Sequence, residues 1–401
     1  MLQGKFWERS SVDTRSALAS VFLISNAFIW YSFGFSFLSN FLQNESVLLV
    51  SIIHFTSVIL SALAGATLIG RIKRRSSFLI VWMIFGILST LSLMLIDARD
   101  TLNISLLSLL FGVSFGLGTP VSLGYFADRT TIGKRAKLGG LIMLVNGLGV
   151  FLPRILVGDI MLQPITLAVW RAVGLLIFLM VKLSEEDFKE EKRVSYRSIL
   201  NQRPFMLYLI PWLMFSLINE LGASVLYEVH PDMVTLFAII EGVLAGTFSI
   251  LGGFMADIIG RKRVTITGFV LLGLGYAMLG IYPTSLVLWF FYTIVDGIAW
   301  GIFSLIFITT VWGDLSHGAP SDKYYAVGGT PFFLSNLLRF LVTDYVKAIS
   351  PEAIFSLTAF FLFLAVLPLM FAPETLPEKK IKERELKIYV ERAKEIKKKY
   401  Y

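Results

Sequence analysis

Three acids and one base stand inside long apolar stretches of this chain: Glu220, Glu241, Asp296 and Arg339. A charge near the centre of a bilayer costs roughly 2.5–3.5 kcal/mol or more, so four of them should face a watery cavity or each other. Each sits within about 6 Å of the midpoint of its predicted span, at ~1.5 Å per residue. Three carboxyls against one guanidinium leave surplus negative charge, and that favours a proton on at least one carboxyl. Asp296, nearest the centre, is the first candidate to carry it. Arg339 is then a counter-ion or a clamp on an anionic solute. The other reading is a structural ion pair that holds the Arg339 helix in its bundle.

The second group that could do chemistry is a loop. Gly253-Phe-Met-Ala-Asp257-Ile-Ile-Gly260-Arg261-Lys262-Arg263 ends one apolar run, turns through a glycine into three cations and opens another run. An aspartate at a helix end can accept hydrogen bonds from exposed N–H groups of a neighbouring helix N-terminus and meets its positive dipole. Arg261 or Lys262 can pair with it or with a nearby carboxylate. Asp128, Arg135 and Asp314 lie at comparable apolar boundaries and complete the candidate latch. A weaker copy, Gly65-Ala-Thr-Leu-Ile69-Gly-Arg71-Ile-Lys73-Arg74-Arg75, comes 188 residues earlier, with isoleucine where the aspartate would be. The bland alternative is that these cations only orient the chain in the membrane.

The good copy resembles the signature loop of the major facilitator superfamily, G-x-x-x-D-R-x-G-R-R, through Gly253, Asp257, Gly260, Arg261 and Lys262. It departs at Ile258, where that family prefers a cation. The resemblance implies an all-α integral membrane fold of twelve transmembrane helices in two six-helix pseudo-symmetric bundles. It also implies that the loop is a cytoplasmic gate latch, with the Asp257 loop facing the start of span 5 near Leu138. Ala372-Pro373-Glu374-Thr375 looks like the ending of sugar and metabolite porters. Other porter marks are missing: span 1 offers Asn26 and no acid, and span 7 offers Asn219-Glu220. A drug/proton antiporter reading competes, resting on a degraded Gly140, Gly149, Pro153 pattern in span 5. A transporter-shaped sensor acting through its tail is a third reading.

The remaining candidates are neutral or isolated: Asn26 and Ser32, His54, Ser114 and Asn146 in the first half, Asn219 and Asn336 in the second. His54 reads as a satisfied interior histidine ahead of a proton relay. Trp300 offers a face for a sugar ring, or packs beside a small-residue motif. Arg171 is expected to pair or to snorkel outward.

The elements that must hold these residues follow from composition. Hydrophobic residues make up 56% and charged residues 16% of 401, with mean hydropathy +0.73. A soluble chain would carry roughly a quarter charged residues. Spans of about 20 apolar residues fall at 17–40, 46–70, 77–97, 101–126, 138–157, 165–183, 205–228, 233–256, 264–282, 285–311, 325–346 and 351–372. The first apolar run is too long for a signal peptide and reads as a retained span. Alternate loops and the two ends of the chain carry 31 of the 36 Lys and Arg residues. Both termini are therefore expected in the cytoplasm, and the protein in the plasma membrane.

The charged stretch 184–203 divides residues 1–183 from 204–373, and residues 374–401 form a charged tail predicted to be helical. Gly112-x-x-x-Gly116 and Gly297-x-x-x-Gly301, with Gly139-Gly140 and Gly328-Gly329, support a duplication. A site between such repeats is the logic of rocking transporters.

The net charge of +8 lies in short loops between apolar runs, which argues against nucleic acid. There is no cysteine, and His54, His230 and His317 share no metal-ligand spacing. No nucleophile elbow or phosphate-cradling loop is present. The expectation is a non-enzymatic monomer without cofactor whose partners are a small-molecule solute and the lipid bilayer, driven by a gradient such as protons.

Overall fold

The structure is a computed structural model describing residues 14–42, 47–72, 74–95, 100–149, 162–181, 194–316, 319–346 and 348–376. Of residues 14–16, 219–224, 226–228 and 342–346 it describes the backbone alone. The described residues are helical throughout their long segments. The first six long helices are α1 Thr14–Ser39, α2 Val47–Leu68, α3 Arg75–Leu91, α4 Thr101–Asp128, α5 Ile132–Gly149 and α6 Gln163–Met180. The last six are α7 Arg203–Val229, α8 Val234–Ile259, α9 Arg261–Ile281, α10 Leu286–Phe303, α11 Asp322–Val346 and α12 Pro351–Phe371. Residues 150–161, which include the end of predicted span 5, the stretch 182–193 and the tail from 377 lie outside the described residues.

Among the described residues, nine helices are long and apolar enough to cross a membrane. The chain is a multi-pass membrane protein. The least apolar of the long helices are α5 and α11. Helix α5 packs along α8 and α11 along α2, so both lie where the first six helices meet the last six. A helix that faces protein has no need of an apolar surface all round.

Small residues set how closely the helices approach. A Cβ added at Gly116 would fall 2.3 Å from the carbonyl oxygen of Val58, which seats α4 on α2. A Cβ at Gly301 would fall 2.6 Å from the carbonyl oxygen of Ala245, which seats α10 on α8 in the same way. The two small-xxx-small stripes read from the sequence thus make equivalent contacts in the two sets of helices.

Several boundaries differ from those predicted at the end of the bundle that carries the α2–α3 and α8–α9 loops, here named the basic end. Helix α5 starts at Ile132, six residues before the predicted span. Charge stops the apolar run at Leu138, yet Arg135 is neutralised by a buried acid and so stays in the helix. Helix α11 starts at Asp322 for the same reason. Helix α10 continues past 311 through a π-helical turn, Ser304–Thr310, into a short helix, Val311–Leu315. Wide turns strand carbonyls, and side chains take them up. Thr309 and Thr310 hydroxyls donate to Leu305 O at 2.6 and 2.7 Å, and the Tyr325 hydroxyl donates to Thr309 O at 2.6 Å.

Candidate functional site

The basic end is closed by buried ions. Gly260 is the turn between α8 and α9, with φ 104° and ψ 154°, a region open essentially to glycine. The turn delivers Arg261, wholly buried, into a cluster of acceptors. Its Nε donates to Asp314 at 3.0 Å, its Nη2 lies 3.0 Å from Asp257 Oδ1, and its Nη1 donates to Ala256 O at 2.9 Å. Its Nη2 also donates to Ile132 O, the first residue of α5.

Asp257 reaches across as well. Its Oδ2 accepts from the backbone N–H of Lys137 at 3.0 Å, beside the Leu138 named from the sequence. The donor is the sixth residue of α5, not one of the free N–H groups of its first turn. The approach is possible because Gly253 is bare: a Cβ there would lie 2.6 Å from Ala136 O.

Asp314 gathers the cluster. Its carboxylate is fully buried and accepts from Arg135 Nη1 at 2.5 Å, from Arg261 Nε and from the Thr375 hydroxyl at 3.1 Å. Arg135 also donates from Nη2 to Ala127 O at 2.6 Å and to Thr130 O at 3.2 Å. Asp314 thus joins an arginine of the first six helices to one of the last six. Lys262 does not enter this network. Its Nζ donates to Met370 O at 2.6 Å at the end of α12.

Two members of the latch were not singled out by type and spacing. Glu374 caps α9, accepting from the N–H groups of Arg261 at 2.8 Å and Lys262 at 3.1 Å. A carboxylate there also meets the helix dipole. The Pro-Glu-Thr ending signalled it, without saying what it holds. Asp322 is the other. Arg75, the first residue of α3, pairs with Asp128 through Nη1 and with Asp322 through Nη2, the latter at 2.5 Å. Asp322 lies 247 residues from Arg75 in sequence, on α11.

Structure also moves the register of the repeat. Each cation that opens a helix, Arg75 and Arg261, is the structural counterpart of the other, and they are 186 residues apart, not 188. The first loop is longer because α2 runs on through a 3-10 turn, Ile69–Arg71, before Ile72 turns extended.

The charges of the second half sit deeper. Asp296 is buried on α10, one turn from Tyr292 and one turn from Trp300. Glu241 on α8 lies beside this stripe: a Cβ at Gly297 would be 3.3 Å from Glu241 Cα. The Tyr292 hydroxyl donates to the Tyr276 hydroxyl at 2.9 Å. Arg339 stands on α11 and is half-buried. Asn336 Nδ2 donates to Phe332 O on its own helix at 2.8 Å. Side chains of Asn219 and Glu220 lie outside the described residues. Trp300 is partly exposed and meets Phe215 and Phe332 edge-on, with ring centroids 4.9 and 6.4 Å away.

Polar candidates of the first half are mostly tied to their own bundle. His54 Nδ1 meets Ser108 O at 3.1 Å and Nε2 meets the Tyr31 hydroxyl at 2.9 Å, which satisfies a neutral ring. Asn26 donates to Trp170 O at 2.7 Å and accepts from Arg171 Nη1 at 2.9 Å. Arg171 does not snorkel. It is wholly buried at mid-helix, 4.2 Å from the Trp82 ring centroid and 5.2 Å from that of Trp30. Among the described residues, two aromatic faces and an amide, with no acid, surround it. Asn146 Oδ1 is buried on α5 with no hydrogen-bond partner among the described residues.

Several solved structures share this fold over nearly their whole length. The human organic anion transporter MFSD10 (TETRAN) superposes with TM-score 0.67 at 14% identity, covering 88% of this chain and 99% of that one. A bacterial homologue of the iron transporter ferroportin, in its outward-facing state, gives 0.71 at 12% identity over 90% and 99%. The proton:xylose symporter XylE bound to 6-bromo-6-deoxy-D-glucose gives 0.64 at 16% identity over 91% and 96%. The protein has the major facilitator fold. No model of a known family matches its sequence, and a search of curated proteins finds no match either.

Within the major facilitator fold, the latch joins the two sets of six helices by four links. They are Asp257 to Lys137 N, Arg261 to Ile132 O, Arg135 to Asp314, and Arg75 to Asp322. Side-chain types and spacing gave the first three their candidate acids and bases. Nothing in the spacing of residues pointed to the fourth.

Proposed function

We propose that the protein is a secondary active transporter of a small polar organic solute, working by alternating access and driven by protons. The observation that carries this reading is the closed basic end. Its links between the two sets of six helices are ionic and polar, beside an apolar cluster that also spans both sets, from Phe126, Ala127 and Ala136 to Val311, Trp312 and Leu315. Buried ionic and polar groups can exchange these partners for water when the end opens, so closure there can alternate with closure at the opposite end. The reading places the basic end and both termini in the cytoplasm and the protein in the plasma membrane.

Asp296 is the leading group for proton coupling, with Glu241, Glu220 and Arg339 as the charged surroundings that set its affinity. Trp300, one turn along α10, gives the solute a flat apolar face. The likeness of the chain's ending to sugar and metabolite porters favours a solute of that class over a lipophilic cation.

A thermal-shift screen of the purified protein against sugars, organic acids and lipophilic cations tests the solute class. A ligand bound only by the folded state adds about 2.7 kcal/mol at a hundred times its dissociation constant. Hits confined to lipophilic cations would replace the metabolite reading with that of a drug/proton antiporter. In proteoliposomes, Asp296→Asn should abolish uphill accumulation and spare exchange. Unchanged accumulation removes Asp296 from the coupling role.

A further inference from the structure

The first loop lacks the acid that its copy carries at Asp257. Ile69 stands there, and Gly65 packs on α4, where a Cβ would meet Leu117 O at 1.8 Å, inside its own set of helices. A link between the halves is nevertheless made on this side, from the opposite direction. Asp322, at the first residue of α11, enters the first six helices and meets Arg75. Gly124 of α4 makes the room: a Cβ there would lie 2.5 Å from Asp322 Oδ1.

The groups that face Asp322 come from three elements. Arg75 opens α3 and holds Oδ2. Asp128 ends α4 and takes the other arm of the same guanidinium. Tyr196, on the short helix Tyr196–Leu200, is near enough to feel its charge, though its hydroxyl donates to Leu63 O at 2.6 Å. On its own helix, Lys323 turns away to Val194 O at 2.9 Å. Two carboxylates therefore share one arginine. Asp322 is the buried one, its side chain 3% exposed against 43% for Asp128. Its Oδ1 is buried and accepts no hydrogen bond from another described residue.

We propose that Asp322 is a proton-binding site of the latch: Oδ1 takes a proton from water as the basic end closes and returns it to water as the end opens. The inference rests on the alternating-access reading only in that the two halves part at this end. Opening would carry α11 away from α3 and α4, and with it Asp322 from Arg75 and Asp128. The like charge and the dry surroundings exist only in the closed state, and both favour the neutral acid there. Arg75 opposes them, but it retains Asp128 when Asp322 is neutral.

Asp322 precedes the predicted span 325–346. Burial pushes its carboxyl up to about 6, against the pull of Arg75 and with the added push of Asp128. The closed state then binds the proton more tightly than a hydrated Asp322 does. Acid favours closure, and the effect sets in as pH falls through about 6. It levels off below the ordinary carboxyl value of 3.8.

The chain has no cysteine, so a spin-label pair can be placed cleanly on the full protein in nanodiscs. Gly70→Cys and Arg263→Cys are exposed positions at the basic end, one in each half. Between about pH 7.5 and about pH 4.5, the ratio of short to long distances should rise by about 30-fold, from closed and open carboxyl values of about 6 and 3.8. Asp322→Asn should be closed-biased and show no such rise. Asp128→Asn, which removes the like charge at a half-exposed position, should move the midpoint to lower pH. An unchanged distance distribution in the parent protein overturns the proposal. So does an Asp322→Asn variant that keeps the full shift. If Asp322→Asn does not fold, a midpoint unmoved in Asp128→Asn overturns it as well. The distances need no solute, so a protein that shifts with pH and moves none of the solutes tried would count against the transport reading alone.

Discussion

Asp314→Asn separates the part of the latch that holds the closed state from the part that holds one half together. The parent carboxylate is fully buried and receives Arg135, Arg261 and Thr375. Removing one partner of a buried ion pair typically costs 3–5 kcal/mol. The lower end applies, about 3 kcal/mol, because asparagine keeps one acceptor oxygen. Arg261 also keeps Asp257 and two carbonyls, and Arg135 keeps Ala127 O and Thr130.

Arg261 and Thr375 belong to the same half as Asp314 and lose their bonds whether the end is open or closed. Only Arg135 crosses. About half the loss, roughly 1.5 kcal/mol, therefore moves the closed–open equilibrium, a shift of about tenfold toward open. The rest lowers the stability of the last six helices. The Gly70→Cys and Arg263→Cys label pair reads the first part, and thermal unfolding reads the second. Arg135→Gln should give a similar shift in the distances. The double variant should go little further than either single, since it leaves no buried charge unpaired. Additive shifts, or distances unmoved by both single variants, would refute the assignment of Arg135–Asp314 as a link between the halves.

Glu374→Gln should lower stability by about 1 kcal/mol through a weakened cap on α9, seen as a small fall in Tm; no change would mean that the cap contributes nothing in the folded protein. Gly260→Ala combines left-handed strain of about 1–3 kcal/mol with a Cβ 2.3 Å from Glu374 Oε2. It should cost more than Glu374→Gln, and Glu374→Ala should relieve part of it. If the two effects simply add in thermal unfolding, the clash is not real. Asn26→Leu should destabilise more than Arg171→Met, because the first strands a buried guanidinium between Trp30 and Trp82 while the second removes it. The reverse order in Tm would mean that Arg171 finds its stabilisation elsewhere.

The latch was partly legible because its signals are local. Glycine at Gly260, an acid one turn before it and a cation just after it fit a helix–turn–helix corner whatever surrounds them. Membrane spans were legible for a similar reason: about 20 apolar residues must cross together, and cations stay at the ends. The starts of α5 and α11 were misplaced by hydropathy because Arg135 and Asp322 are charged in sequence and paired in space. The π turn at Ser304–Thr310 leaves no signature in hydropathy, since its cost is met by Thr309, Thr310 and a tyrosine on another helix.

The sequence by itself determined an all-helical membrane chain, a repeated loop and the residue types of a latch, because these follow from transfer free energy and from spacing along one helix. Only the tertiary structure decided which acid meets which base. Arg75 finds Asp322 across 247 residues, and Arg171 finds the indole faces of Trp30 and Trp82. Those partners depend on which helices come side by side, and helix packing is decided by the fit of whole faces, with small residues such as Gly116 and Gly301 setting the approach. A charge carries no label for its counter-ion; proximity in the folded bundle supplies it.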